Sequence, residues 1–215
     1  MSAPTQQSQS KSFLFPAYER SFAALRKLSM FTLLRQFVPD DHYHAFVDVY
    51  LLAHFSLAVL SLVLLPPGRL CVLTAVLILY GAFRCFELTV LHVNQLLFDE
   101  YRVLLSKLPV DPLNYRRLVL TILHNYVELL FWFAFFYRHL AREFTQTSVV
   151  SSISGSLYFS VVTMATVGYG DITPTEWLGR VLVIAQVALG LFLVIAVLAR
   201  WVSIMRDIQR PDKLD

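Results

Sequence analysis

Six residues, Thr166 to Asp171, read Thr-Val-Gly-Tyr-Gly-Asp and combine two traits that oxygen coordination of a bare cation needs: a row of backbone carbonyls, and a backbone free to aim them. Gly168 and Gly170 alternate with Val167 and Tyr169. Lacking a Cβ, glycine takes dihedrals closed to other residues, so an alternating strip can turn successive carbonyls toward one axis. With the Thr166 hydroxyl they make a stack of oxygen ligands for a dehydrated cation. At membrane depth such irregular backbone is tolerated only where protein buries it or it lines a watery path.

A second polar set lies inside apolar stretches, where ionisable side chains are costly and therefore functional candidates. Arg84 and Glu87 fall in one stretch, and His124, Asn125 and Glu128 in another. His124 and Glu128, four apart, stand on one helical face. Helical rise places Arg84 roughly 21 Å from the outer end of its stretch and about 9 Å from the inner surface, with Glu128 about 16 Å up from that surface. The side chains can meet. One reading is an ion pair that holds the first two helices against the rest. The other is a proton sensor built on His124 or Glu128, and His54 could join either. The run Pro39 to His44, "PDDHYH", supplies two acids and two imidazoles, either as ligand types for a metal or as a capped, solvated helix start.

These groups need elements to hold them, and composition says which kind. Of 215 residues, 57% are hydrophobic and 15% charged, against a charged share of about a quarter in soluble domains. An all-α integral membrane protein is expected. Four apolar stretches are long enough for a hydrocarbon core of roughly 30 Å: Phe46 to Leu65, Leu70 to Val93, Leu118 to Tyr137, and Trp177 to Trp201. A fifth, Gly155 to Ala165, is too short to span, and Ser152 or Ser154 could cap it. The first ten residues are polar, so no cleavable leader is expected, and the segment reads as disordered.

"PPGR" joins the first two spans in a loop that permits only an antiparallel hairpin. Pro109 and Pro112 break the linker that follows. The organisation expected is 1–45 as a cytoplasmic segment, 46–93 as the hairpin, 94–117 as a cytoplasmic linker, 118–201 as a second membrane module and 202–215 as a cytoplasmic tail. Within the first segment, residues 17–38 mix apolar and basic residues, as in a helix lying on the membrane or one packed on the linker. Thirteen Lys and Arg, among them Lys11, Arg102, Lys107, Arg210 and Lys213, fall on the side of the termini; four, Arg69, Arg138, Arg142 and Arg180, fall on the other. That bias puts both termini in the cytoplasm. Cys71 and Cys85 are 14 positions apart on one helix, roughly 21 Å, and cannot bridge.

The hexapeptide, preceded by "SLYFSVVTMA" and followed by "ITPTEWLGR", resembles the pore segment of tetrameric potassium channels, over about the last hundred residues. The resemblance implies that Thr166, Val167, Gly168 and Tyr169 supply the K+ sites, that Gly170 closes the outer turn, and that the Tyr169 side chain braces the filter. Residues 155–165 become a pore helix aiming its negative end at a central cavity. Many relatives bond the acid after the filter through a Trp; here Tyr158 stands at the matching offset, so Tyr158 is expected to donate to Asp171, with an Asp171 simply facing the outer vestibule as the alternative. Gly190 lies where the family often has a hinge. It shares a face with Val194, Val197 and Trp201, the gate candidates, although a small residue also suits close helix packing.

A single GYG in the chain requires four copies to close a ring, so a cyclic homotetramer in a plasma membrane, or a bacterial inner membrane, is expected. K+ and the lipid bilayer are the partners expected, with no nucleic acid and no cofactor beyond the transported ion. No span repeats Arg or Lys every third residue as a voltage sensor does, the tail is too short for a ligand-binding gating domain, and no nucleophile-base set suggests an enzyme. The function expected is passive K+ conduction; a regulatory or assembly subunit that conducts only with a partner is the alternative.

Overall fold

The computed structural model describes residues 14–68, 72–95 and 112–208. Pro109 with most of the linker, Cys71, Arg69, the first thirteen residues and residues 209–215, along with the basic residues they contain, lie outside them. Among the described residues the chain is all-α, with one isolated β-bridge, Phe144 to Pro174. In chain order the helices are α1 (Leu14–Lys27), α2 (Met30–Arg35), α3 (Tyr43–Leu64), α4 (Val72–Val93), α5 (Pro112–His139), α6 (Thr147–Val150), α7 (Ile153–Met164) and α8 (Trp177–Ile208). Four helical segments are long and apolar enough to cross a membrane: Tyr43–Leu64, Val72–Val93, Arg117–His139 and Trp177–Ala199.

Pro112 breaks the chain by starting a helix: it opens α5, where its missing N–H costs nothing and its fixed φ is already helical. α5 then becomes the centre of the packing, touching α3, α4, α7 and α8. Its stretch Trp132 to Tyr137 is apolar all round, as befits a helix covered on every side, and each of these six residues is buried. Edge-to-face ring contacts run from Trp132 to Phe135 and from Tyr137 to Phe159 of α7.

The short apolar helix α7 runs Ile153–Met164, two residues earlier than its sequence suggests at the start. Ser152, extended at φ −79° and ψ 155°, accepts from Gly155 N at 3.0 Å and so caps it; Ser154 lies one residue inside. The basic-apolar N-terminal segment packs on the membrane hairpin: α1 contacts α4, and Ser29 at the start of α2 donates to Glu87 of α4 at 2.7 Å.

Gly81 of α4 lies under the Trp132 ring, and a Cβ there would stand 2.5 Å from the ring. Gly81→Val is expected to lower stability by about 1–3 kcal/mol through overpacking, read as a lower thermal midpoint of the chain in nanodiscs.

Candidate functional site

The hexapeptide leaves the C-terminus of α7 on two backbone hydrogen bonds, Thr166 N to Thr163 O and Val167 N to Val162 O, both 3.0 Å. Beyond them φ is positive at every second residue: 56° at Thr166, 56° at Gly168 and 79° at Gly170. Left-handed dihedrals alternating with ordinary ones turn successive peptide planes so that carbonyls can face one way. The sequence pointed to left-handed backbone at the glycines but not at Thr166. A β-branched residue in this region costs about 1–2 kcal/mol, a strain that the two bonds to α7 hold in place.

One face of this strip is uncovered by its own chain. Val167 is 51% and Tyr169 71% exposed, and a Cβ on Gly168 or Gly170 would meet nothing within 4 Å. A single chain therefore leaves this face of the strip open. At its outer end Tyr158 Oη donates to Asp171 Oδ2 at 2.8 Å, so Asp171 is both exposed and paired. The carboxylate holds the Tyr158 phenol above its ordinary range, which keeps the donor protonated. Next to it a small collar fixes the exit of the strip: Thr145 N donates to Thr173 O at 3.0 Å and Thr175 N to Glu143 O at 2.8 Å.

Behind the strip, three helices meet through uncharged polar groups that sequence reasoning did not single out. Tyr137 of α5 donates to Gln186 Oε1 of α8 at 2.6 Å. Gln186 Nε2 donates to Ser160 O and Oγ of α7 at 3.0 and 2.7 Å. Ser160 Oγ in turn donates to Leu130 O at 2.8 Å. Gln186 is a lone amide in an otherwise apolar run, which is the signal that could have found it.

Gly190 is buried where α8 crosses the end of α7, and a Cβ there would stand 2.9 Å from Met164 O. This geometry supports the close-packing alternative for that residue. Of its companions, Val197 packs partly buried against the core while Val194 is 44% exposed; the Trp201 side chain is outside what is described.

The second polar set divides. Arg84, Glu87 and Glu128 come together, all within 1% of complete burial. Arg84 donates to Glu128 through Nε at 2.8 Å and Nη2 at 3.0 Å, a two-pronged pair, and through Nη1 to Glu87 at 2.7 Å. Glu87 also accepts from Ser29 Oγ, from Phe31 N at 2.9 Å and from Tyr50 Oη, while Trp132 Nε1 donates to Glu128 at 3.2 Å. Every carboxylate oxygen there has a donor, the condition under which buried charge is tolerated. Ser29 and Tyr50 were missed, because nothing in their sequence neighbourhood points across 58 or 37 residues to a carboxylate; Trp132, four residues from Glu128 on the same helix, lay within reach of helical spacing and was not singled out.

His124 does not join them. Residues four apart on a helix differ by about 40° in direction, and this offset sends Glu128 to α4 while His124 turns to α3, with its Nε2 3.2 Å from Leu51 O and its ring against Phe55. His54 lies on the cluster's flank, its Nδ1 donating to Tyr50 O at 2.6 Å and its ring against Tyr50. The run Pro39 to His44 forms a 3-10 turn, Asp40–His42, leading into α3, and His42 makes no side-chain cap. Its His44 receives Arg117 Nη1 at 2.6 Å, and Arg117 also pairs with Asp48 at 2.7 Å. Among the described residues no three His, Cys, Asp or Glu gather as a metal site.

Residues 126–207 match the family model described as "Ion channel", a stretch that begins in α5 and takes in α7, the strip and almost all of α8. The chain is 35% identical over 92 residues to Two pore potassium channel c of Oryza sativa subsp. japonica, covering 41% of this chain and 20% of that protein. It is 44% identical over 59 residues to Potassium voltage-gated channel subfamily KQT member 4 of Homo sapiens, 27% of this chain and 8% of that one. Probable potassium channel protein 2 of Methanocaldococcus jannaschii is 42% identical over 55 residues, 23% and 16%. The chain thus spans a fifth or less of the length of these relatives. No solved structure matches it.

Two outcomes test the energetics. Arg84→Met leaves two buried carboxylates without their cation and is expected to cost about 3–5 kcal/mol. Replacing Arg84, Glu87 and Glu128 together by Met, Gln and Leu is expected to recover most of it, both read as thermal midpoints in nanodiscs. Tyr158→Phe, which frees Asp171, is expected to leave the fold intact and, in a chain that conducts cations, to speed the decay of flux several-fold, roughly the worth of a charge-assisted hydrogen bond at an exposed site. Because the raised phenol donates only while protonated, the wild-type behaviour is expected to persist through neutral pH and to be lost as pH rises past the ordinary tyrosine value of about 10 to the higher one of Tyr158.

Proposed function

We propose that this chain, whose residues 126–207 match the ion channel family model, is a member of the potassium channel superfamily and a subunit of a potassium-selective channel in which four copies close the Thr166 to Gly170 strip into one conduction path. The observation that carries the reading is the alternating left-handed backbone at Thr166, Gly168 and Gly170, hung from the end of a capped helix and flanked by two spanning helices. In the assembly, carbonyls of Thr166, Val167, Gly168 and Tyr169 with the Thr166 hydroxyl replace the hydration shell of K+. Gly170 closes the outer turn, and Asp171 supports it through Tyr158.

Four-fold closure also accounts for the uncovered face. Val167 and Tyr169, exposed in one chain, face neighbouring copies across or around the axis. The C-terminal end of α7 directs partial negative charge at an ion in the cavity below the strip. α8 lines that cavity, with Val194 among its exposed residues, while Gly190 serves the contact with Met164. The side richer in Lys and Arg, to which both termini belong, is the cytoplasmic one, and ions pass down their gradient by mutual displacement between adjacent sites.

Purified full-length chain in liposomes tests this directly. The expected result is K+ flux with little Na+ flux, blocked by barium. Equal K+ and Na+ flux would overturn the selectivity assignment. Silence alone with conduction restored by a second channel subunit would make the chain a component of mixed assemblies.

A further inference from the structure

We infer that Gln186 is a positioning residue for the filter: from α8 it sets where α7 sits along and around its own axis, and with it the two carbonyls from which the strip hangs. The inference rests on reading Thr166 to Gly170 as a K+ filter. Its physical basis is the way Gln186 spends its hydrogen-bonding capacity. Nε2 has two protons and both go to one residue of α7, to the backbone oxygen and the side-chain oxygen of Ser160. A grip on side chain and backbone together fixes the helix itself, whereas a side-chain bond alone fixes a rotamer.

The remaining groups of the network remove its freedom. Gln186 Oε1 is held by the Tyr137 hydroxyl at 2.6 Å, so the amide cannot flip without placing two donors, or two acceptors, face to face. Ser160 Oγ accepts from Gln186 and must therefore donate onward, which it does to Leu130 O of α5 at 2.8 Å. Tyr137, Ser160 and Gln186 are all completely buried, so no water can replace a lost partner. The carbonyls that carry the strip, Val162 O and Thr163 O, lie two and three residues beyond Ser160, less than one helical turn. Any slip of α7 at Ser160 is passed to Thr166 and Val167, where a strained backbone has no slack.

A side chain that merely fills space at position 186 is replaceable by methionine of similar volume, and this separates the two roles. Gln186→Met orphans the Tyr137 hydroxyl; Gln186→Met with Tyr137→Phe removes both partners and is nearly neutral for stability. The experiment measures the K+ to Na+ flux ratio and the thermal midpoint for the full-length chain in liposomes. Expected are a double variant whose midpoint returns close to wild type, and a flux ratio that stays lower by on the order of tenfold. Ser160→Ala, which keeps the bond from Gln186 to Ser160 O, is expected to lower the ratio by a smaller factor and serves should the double variant not assemble. A double variant with restored midpoint and wild-type ratio overturns the inference, as does an unchanged ratio in Ser160→Ala when the double variant cannot be made. A wild-type chain that shows no preference for K+ removes the filter reading itself, a result distinguishable because it appears before any substitution.

Discussion

Buried polar groups on α5 can be satisfied only from within the protein, because side chains covered by neighbouring helices at membrane depth have no water to turn to. That constraint arranges the rest. Glu128 requires a cation from α4 and receives Arg84; the Tyr137 hydroxyl requires an acceptor and receives Gln186 of α8; the carbonyl of Leu130, already in a helix, takes a second donor from Ser160 of α7. Three helices are thereby fixed to one, each by a bond whose loss solvent cannot repair. Aromatic packing around Trp132 and Phe135 is buried alongside these bonds, but apolar burial is non-directional. The hydrogen bonds specify register.

Against that rigid frame the strip after α7 is held in a conformation it would not choose. A left-handed threonine is unfavourable for a free peptide, and the cost is met by the two bonds from Thr166 and Val167 back to α7. The collar of residues 143–145 and 173–175 pins the far end. A segment strained in the middle and fixed at both ends has few alternatives to fall into. On the proposed reading, selective coordination needs that property, because a strip that relaxed around a smaller ion would accept it.

How much of this could be read beforehand depends on the range of the interaction. The hexapeptide is local, so its glycines declared their dihedrals directly, and Ser152 sat where an N-cap was wanted. The approach of Arg84 to Glu128 followed from depth arithmetic along two helices, because charge in lipid narrows the choice of partner. His124 escaped because a heptad-level view treats positions four apart as one face; a 40° offset sufficed to turn it to a different neighbour. Gln186, Ser160 and Tyr137 escaped because neutral polar residues are cheap enough at such depths that sequence alone does not force them into contact. Their meeting depends on how α8 crosses α7, which the close approach of Gly190 to Met164 O permits and no sequence period announces.

Arg138 carries a consequence of a different kind. At the C-terminal end of α5 its guanidinium donates to Leu62 O in the last turn of α3 and to Leu65 O at its C-cap at 2.9 Å, and to Ser151 O at 3.1 Å, just before the cap of α7. The end of α3 and the start of α7 thus share one counter-charge. Mechanically they form a single rim: a displacement of α3 along its axis pulls on Ser151 through a few rigid bonds, at the opposite end of α7 from the strip. A helical hairpin remote from the strip would then act on it as a lever acts on a hinge, tilting α7 from its far end while the buried clamp at Ser160 serves as the fulcrum.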